Sequence, residues 1–456
     1  MSTPTRRLFG TDGVRGEAGR FPLDAETLQT VGRSLAVHLQ TKLGRSPLIV
    51  VGRDTRESGP WLEEALIEGA RSAGAECKSA GVITTPGVAY LARSLPADAG
   101  VVISASHNPY QDNGFKIFAP SGRKLDDETE RLIEADIHES VGVPTRLKSD
   151  RASDEALASP LRSRYLDFLE QKIAAGLSLS DRTIVVDTAN GAASNLAPEL
   201  FGRLGAQVVA INNQPDGRNI NRECGSLHIE TLQRRVLEAR ADVGVAFDGD
   251  ADRSLFVDAK GRYVDGDATL WVLAKYMQAR EQLSQGTVVA TVMSNIGLEI
   301  ALRSLGIRLV RTDVGDKFVL EELISTGAGL GGEQSGHIIF PHVSLAGDGM
   351  ITALSLLRVM SDDDQPLHEL TTGFERRPQV LVNVEVKEKR PFDEVERIQK
   401  RVREIESELG NEGRLLLRYS GTEPLARVMI EGESQTTIER HASDLATVIQ
   451  QVLGSG

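Results

Sequence analysis

Short hydrophobic runs rich in Val and Ile recur along the chain, each leading into a polar loop and then into a stretch with helical spacing. In the first such unit, Leu48-Ile49-Val50-Val51 leads into Gly52-Arg53-Asp54-Thr55; a helical stretch covers Leu62 to Ser72, and Gly74 precedes Ala75-Glu76-Cys77. In the second, Thr183-Ile184-Val185-Val186 is followed by Asp187-Thr188-Ala189-Asn190-Gly191, a helix to Leu204, then Gly205 and Ala206-Gln207-Val208-Val209. The third has Thr287 to Val292, a Ser294-Asn295-Ile296-Gly297 turn, a helix through Leu305, then Gly306 and Ile307-Arg308-Leu309-Val310. Such β-branched runs alternating with amphipathic helices predict parallel α/β units. Glycine directly after each helix suits a left-handed stop.

Each unit then adds one more strand that ends in an unusual loop. Gly100-Val101-Val102-Ile103 enters Ser104-Ala105-Ser106-His107-Asn108-Pro109, and Val243-Gly244-Val245-Ala246-Phe247 enters Asp248-Gly249-Asp250-Ala251-Asp252-Arg253. Ala328-Gly329-Leu330-Gly331-Gly332 enters Glu333-Gln334-Ser335-Gly336-His337. Ligands in open α/β sheets bind beyond the carboxyl ends of strands. Three units with different loop chemistry at matching positions therefore predict one site built from three domains, although similar α/β units by themselves signal only a fold.

The C-terminal region breaks the pattern. Gln379 to Lys387 alternates like a strand, Glu394 to Leu409 reads as a charged helix, and Leu415 to Leu417 leads into Arg418-Tyr419-Ser420-Gly421-Thr422-Glu423-Pro424. The expected fold class is thus α/β, with three similar mixed α/β domains (1–150, 151–258 and 259–370) followed by a smaller α+β domain (371–456). Lys148 to Pro160, rich in Ser, Asp and Ala, reads as a linker or a solvated helix start.

Composition narrows the function classes. With 456 residues the chain is too long for one core, and 40% hydrophobic with 26% charged residues is ordinary for a globular protein. No apolar run has membrane-spanning length, and Arg6-Arg7 near the start is not followed by the apolar stretch of a secretory signal. The two cysteines, Cys77 and Cys224, lie far apart, and a reduced cytoplasmic compartment is the simpler expectation. A net charge of −13 argues against nucleic-acid binding and leaves a phosphorylated ligand dependent on local cations.

Three carboxylates at alternate positions, Asp248, Asp250 and Asp252, offer hard oxygen ligands suited to Mg²⁺ or Ca²⁺. An EF-hand is excluded, because its sixth and twelfth positions here are Arg253 and Ala259. Without a cation three carboxylates after an apolar strand repel one another, which favours a metal over a plain acidic turn.

Ser106 is equally consistent with a nucleophile and with a capping serine in an Asn-Pro turn. Its pairing with His107 carries little weight, since adjacent side chains rarely face each other. Lys116 is either a solvated lysine or an acid/base or phosphate clamp for the same loop. Ser420, Gly421 and Thr422 alone read as a polar turn between strands, but with Arg418 and Arg427 beside them they have the composition of a phosphate cradle. Glu333 and Ser335 are candidates for holding sugar hydroxyls, though alone they read as an acidic turn. Arg15, between glycines in Phe9-Gly10-Thr11-Asp12-Gly13-Val14-Arg15-Gly16, allows a ligand close to the backbone. Gly327 to Gly332 matches a dinucleotide fingerprint only formally, because strand and helix do not flank it in the required order. His337 and His342 are not at a helical metal spacing, and no Walker A sequence is present.

Taken in this order, the five segments around Arg15, Ser106, Asp248–Asp252, Glu333–His337 and Arg418–Thr422 resemble the α-D-phosphohexomutase family over essentially the whole chain. The start, the Gly-Glu-Gln-Ser-Gly-His loop and Arg-Tyr-Ser-Gly-Thr-Glu-Pro are most similar to its bacterial branch acting on glucosamine phosphates. The resemblance implies four domains around a central cleft and a phosphoryl group carried on Ser106. It implies Mg²⁺ held by Asp248, Asp250, Asp252 and a phosphate oxygen on Ser106, with sugar contacts from Glu333 and Ser335. Arg418 to Thr422 would grip the substrate phosphate, and Arg15, Lys116 and His337 would assist proton transfer and stabilise charge. The implied reaction converts a 6-phosphosugar to its 1-phosphate through a hexose 1,6-bisphosphate, for UDP-N-acetylglucosamine synthesis, with no nucleic-acid or membrane partner. Glucose or mannose phosphates are the near alternative substrates; a Mg-dependent sugar phosphatase or a non-catalytic sensor is the distant one. Two positions depart from the family pattern: Ala251 stands where glycine is frequent, and Lys317-Phe318 where Arg and Tyr are common.

Overall fold

The hydrophobic runs named above all form strands, and the glycines after the three helices are left-handed, with φ of +86° at Gly74, +93° at Gly205 and +70° at Gly306. The computed structural model of the protein describes residues 7–10, 12–140, 154–420 and 423–454. They cluster into two units, Met1–Val292 with Val310–Thr371 and Met293–Leu309 with Thr372–Gly456.

The first sheet contains β1 (Val14–Glu17), β2 (Leu48–Arg53), β3 (Glu76–Val82), β4 (Ala99–Ile103) and β5 (Asp112–Phe118), in the order β1-β5-β4-β2-β3. Parallel pairing joins β2 to β3 and β4, whereas β5 runs antiparallel to β4 and β1. Its helices are α1 (Ala25–Leu43), α2 (Gly59–Ser72), α3 (Thr85–Ser94) and α4 (Asp127–Ser140). One face of the sheet, with Ile49, Val51, Val101 and Ile103, is sealed against Leu28, Leu62 and Leu66.

The second sheet holds β6 (Thr183–Asp187), β7 (Gln207–Ile211), β8 (Val243–Phe247), β9 (Ser254–Asp258) and β10 (Tyr263–Val264), ordered β10-β9-β8-β6-β7. Helices α6 (Leu196–Arg203) and α7 (Glu230–Ala239) pack on it, α5 (Glu155–Phe168) packs mainly on β3 of the first sheet, and α8 (Gly266–Ala279) follows in the chain. The third sheet, β11 (Thr287–Thr291), β12 (Arg308–Thr312), β13 (Leu330–Gly332) and β14 (Ile338–Ile339), is ordered β12-β11-β13-β14. With it come α10 (Asp316–Thr326), α11 (Gly349–Asp362) and the single turn α12 (Leu367–Leu370), whereas α9 (Ile296–Ser304), which follows β11 in the chain, belongs to the second unit.

The three sheets therefore share one strand order, β5-β4-β2-β3, β9-β8-β6-β7 and β14-β13-β11-β12. In each, the chemical loop joins the third strand of the unit to an antiparallel fourth. The turn Ser294–Gly297 departs from this equivalence, because it belongs to the second unit; there Asn295 Nδ2 and the Ile296 N–H donate to the Glu431 carboxylate at 3.2 and 3.0 Å.

The second unit also carries β15 (Gln379–Glu385), α13 (Glu396–Leu409), β16 (Arg414–Tyr419), β17 (Leu425–Glu431) and α14 (Gln435–Leu453). Its antiparallel sheet, β15-β17-β16, packs Val384 and Val428 against Ile398, Ile405, Leu445 and Ile449. The predicted α+β character of this region is what forms.

Of the predicted linker, 148–153 lie outside the described residues, and α5 begins at Glu155 with the Asp154 carboxylate accepting from the Ala156 N–H at 3.0 Å. Cys77 and Cys224 are both buried and free. Gly327 to Gly332 runs from the end of α10 into β13, the reverse of a dinucleotide-binding turn. Among the described residues, no helix is long and apolar enough to cross a membrane.

Candidate active site

Ser106 sits one residue past a tight turn of hydrogen bonds. Its N–H donates to Ser104 Oγ at 2.9 Å, and that hydroxyl donates to Asp54 Oδ2 at 2.6 Å. The backbone at Ser106 is left-handed, φ +51°, a conformation a non-glycine residue adopts only when its surroundings dictate it. The result is a buried serine whose Oγ donates to Asp248 Oδ2 at 2.5 Å. The same turn brings His107 Nδ1 to 3.3 Å from Ser106 Oγ, so these adjacent side chains do face each other, contrary to the expectation from sequence. Burial, then the nearby Arg253 and Arg15, pull the His107 pKa down to about 4, leaving a neutral imidazole beside the hydroxyl.

The strand β8 is buried throughout and delivers Asp248, Asp250 and Asp252 to one point, with ligand oxygens within 4.8 Å of one another. Thr85 Oγ1 donates to Asp250 Oδ2 at 2.6 Å, and Lys116 Nζ reaches Asp250 Oδ2 and Asp252 Oδ2 at 3.1 Å each. The other oxygens, Asp250 Oδ1 and Asp252 Oδ1, are buried without a hydrogen-bond partner. Burial, and then Asp252 and Asp250, push the Asp248 carboxyl well above the usual range. Crowded oxygen donors with unsatisfied buried atoms fit a hard divalent cation, whose charge relieves the repulsion and whose coordination satisfies the oxygens.

Gly249 lets this loop touch the serine loop. A Cβ there would lie 2.4 Å from the Ser106 carbonyl oxygen, which is backbone and cannot turn aside. Gly249→Ala is expected to push the two loops apart, with an overpacking cost of about 1–3 kcal/mol and a kcat at least roughly tenfold lower through misplacement of the serine. Thermal melts and initial rates on the same preparation check it; wild-type kcat would show that the two loops need not touch. Ala251 departs from the family pattern at a left-handed position, φ +56°, which costs an alanine about 1–2 kcal/mol.

Positive charge converges from β1 and β5. Lys116 is almost wholly buried, and its ammonium also lies 3.2 Å from Asp12 Oδ2. Burial lowers its pKa, but Asp12, Asp250 and Asp252 outweigh this and hold it well above its ordinary value. Arg15 pairs with Asp12 and donates to Asn108 Oδ1 at 3.4 Å. The third loop arrives through His337, whose Nδ1 lies 3.6 Å from Asp252 Oδ1. Burial lowers the His337 pKa, and Asp252, Asp316 and Glu333 raise it to about 9. Glu333 and Ser335 are half-buried on the same loop; Glu333 Oε1 accepts from the Gly315 N–H at 3.1 Å, and Ser335 Oγ donates to Glu333 Oε2 at 3.3 Å. The predicted meeting of three loops is therefore realised within the first unit. A cavity of about 670 Å³ is lined by Lys116, Asp252 and His337, and also by Lys317 and Phe318.

In the second unit, β16 and β17 place Arg418 directly opposite Arg427. Like charges in that register are unfavourable unless an anion bridges them. Arg427 donates to Ser420 Oγ at 3.3 Å and to Glu423 Oε2 at 3.2 Å, and Lys389 Nζ donates to the Ser420 carbonyl at 2.6 Å. Gly421 and Thr422 lie outside the described residues, as does Thr11.

Several site neighbours escaped the sequence reading. Thr85 left one trace, its place beside the helix-capping Thr84 ahead of Pro86. Arg253 donates its N–H to Asp248 Oδ1 at 3.2 Å, and Lys389 lies 31 residues before its partner, without any local signal.

Four sequence profiles cover most of the chain, all described as phosphoglucomutase/phosphomannomutase: alpha/beta/alpha domain I over residues 6–141, domain II over 163–261, domain III over 265–376 and the C-terminal domain over 381–448. The chain is 48% identical over 451 residues to a phosphoglucosamine mutase of Solibacter usitatus, covering 98% of this chain and 99% of the relative. It is 46% identical to that of Koribacter versatilis, covering 100% and 99%. Among solved structures, a phosphoglucomutase/phosphomannomutase family protein of Burkholderia thailandensis has a TM-score of 0.77 at 24% identity, covering 98% of this chain and 97% of that one. The Aspergillus fumigatus N-acetylphosphoglucosamine mutase, solved with GlcNAc-6P and magnesium, has a TM-score of 0.62 at 19% identity, covering 99% and 97%.

Proposed function

This chain belongs to the phosphoglucomutase/phosphomannomutase family, and we propose that it is the member that interconverts glucosamine 6-phosphate and glucosamine 1-phosphate through a phosphoserine at Ser106. The observation that carries this is the 2.5 Å approach of the Ser106 hydroxyl to one of three clustered, buried carboxylates. A serine alone is a weak nucleophile and a poor water-activating group, but beside such a cluster it is suited to carry a phosphoryl group.

In the first half-reaction a sugar hydroxyl oxygen bonds to phosphorus as the bond from phosphorus to Ser106 Oγ breaks. The sugar hydroxyl loses its proton and Ser106 Oγ gains one, giving a hexose 1,6-bisphosphate. In the second, Ser106 Oγ takes the other phosphoryl group and returns a proton to the freed sugar oxygen. In this reading Lys116 and His337 hold or pass these protons, with Arg15 supplying fixed charge. Mg²⁺ bound by Asp248, Asp250, Asp252 and an oxygen on Ser106 would neutralise charge on the transferring group. Glu333 and Ser335 serve as acceptors and donors for sugar hydroxyls. The paired Arg418 and Arg427, with Ser420, Gly421 and Thr422, serve as a phosphate grip.

Because Lys317 and Phe318 line the cavity, glucose or mannose phosphate is the competing substrate class. Initial rates with the three 6-phosphosugars side by side test this. Glucosamine 6-phosphate is expected to be turned over with the highest kcat/KM, and a clear preference for either neutral sugar would overturn the assignment. Mass spectrometry of the purified protein is expected to map a phosphate to Ser106 after treatment with a hexose 1,6-bisphosphate.

A further inference from the structure

The loop Gly52-Arg53-Asp54-Thr55 stood out in sequence and has no part in the chemistry above, yet it lies directly behind the reactive serine. Asp54 and Arg56 form an ion pair at 2.6 Å with both side chains fully buried. Arg56 then spends its remaining donors on backbone. Nη2 reaches the Asn108 carbonyl at 2.6 Å and the Ser106 carbonyl at 3.3 Å, and Nε reaches the Asp112 carbonyl at 2.7 Å. Its partner Asp54 accepts from Ser104 Oγ, so the pair grips the serine loop before, at and after Ser106.

A second residue, from the domain of the β6–β10 sheet, holds the same two carbonyls. Asn221 Nδ2 donates to the Ser106 oxygen at 2.8 Å and to the Asn108 oxygen at 3.0 Å. Asn221 is itself left-handed, φ +57°, and its N–H is fixed on the Ala189 carbonyl at 2.9 Å. The segments carrying Arg56 and Asn221 are tied together around these contacts. Thr55 Oγ1 donates to the Asn190 carbonyl at 2.5 Å, the Glu57 N–H to the Gly217 carbonyl at 2.9 Å, and Arg218 pairs with Glu57 at 2.6 Å.

We propose that Arg56 and Asn221 are positioning residues for phosphoryl transfer: by drawing the Ser106 and Asn108 carbonyls backwards from two domains, they impose the left-handed turn that aims Ser106 Oγ at Asp248. The proposal rests on Ser106 being the phosphoryl carrier. It follows that the serine is held only while the two domains are docked behind it, and that its placement depends on donors rather than on packing. A carbonyl held by two converging donors cannot rotate, and a displacement of about 1 Å at a nucleophile costs on the order of a hundredfold in rate.

The test uses the full-length protein with Asn221→Asp, Asn221→Ala and Arg56→Lys. Asn221→Asp keeps shape and volume but turns a carboxylate on two carbonyl oxygens, so positioning predicts the largest loss there, kcat lower by about a hundredfold, against about tenfold for Asn221→Ala. KM for the 6-phosphosugar should stay within about threefold of wild type, because neither residue is placed to bind the sugar. Arg56→Lys keeps the ion pair with Asp54 but cannot span three carbonyls, and should also lower kcat without raising KM. Circular dichroism on each sample confirms folding. Near-wild-type kcat for Asn221→Asp, a rise in KM alone, or rate losses that merely track loss of folded protein would overturn the clamp. Absence of mutase turnover in the wild-type protein would instead remove the reading beneath it, so the two failures are distinguishable.

Discussion

Ser106→Ala is expected to lower mutase turnover by roughly a thousandfold or more, equivalent to about 4 kcal/mol of transition-state stabilisation. The hydroxyl has no substitute within the described site. His107, whose Nδ1 lies 3.3 Å from Ser106 Oγ, is a neutral imidazole lying against Ser106. A transfer from His107 would need the serine loop to turn over, against the bonds from Asp54, Arg56 and Asn221 that fix it. The substitution removes one donor from Asp248 and leaves Asp250 and Asp252 with their lysine and threonine partners. Binding of Mn²⁺, followed by its paramagnetic resonance, should therefore persist while turnover and phosphate incorporation vanish. Turnover within tenfold of wild type would remove Ser106 as the carrier and favour direct hydrolysis at the carboxylates.

The parts of this site that were legible in the sequence are those encoded over a few residues. A β-branched run, a glycine stop and a polar loop recur in fixed order, and such local periodicity is set by backbone geometry alone. For that reason Ser106, the aspartates and the Glu333–His337 loop could be placed at strand ends, and their convergence expected. The fourth strands were not legible as a group. In β14 only Ile338 and Ile339 pair, too few to show a period, and β9 is buried throughout and does not alternate. Yet it is the antiparallel return along β5 that turns Lys116 back to Asp250 and Asp252.

Legibility also fails with chain distance. Thr85 and Asp250 are 165 residues apart, and Asn221 and Ser106 are 115 apart. Neither partner carries a local trace of the other, because a hydrogen bond needs only one donor in the right place. Ser106 and His107 failed for a different reason. Adjacent residues diverge in ordinary backbone, and it took a left-handed turn, imposed from behind, to bring them together.

Lys116→Met is expected to have the second largest effect, and on stability as much as on rate. Three carboxylates, Asp12, Asp250 and Asp252, share this one buried ammonium at 3.1–3.2 Å. Asp12 also has Lys124 at 2.7 Å and an ion pair with Arg15, so it retains partners when Lys116 is lost. Asp250 keeps the Thr85 hydroxyl as its side-chain hydrogen bond, and it stands beside Asp248, whose carboxyl is already pushed upward by burial and then by its acidic neighbours. Removing one side of a buried ionic cluster leaves charge without compensation and typically costs about 3–5 kcal/mol. A chelated sample of the variant should therefore unfold several degrees below wild type. A divalent cation supplies the missing charge at the same carboxylates, and any ligand that binds only the folded form stabilises it in proportion to its occupancy. Adding Mg²⁺ should accordingly raise the melting temperature of Lys116→Met by more than it raises that of wild type. Turnover should stay low, since the metal restores the charge but not the proton-carrying ammonium. Equal melting temperatures for the two proteins in chelator, or no response of the variant to Mg²⁺, would show that Lys116 is not the built-in counter-ion of this cluster.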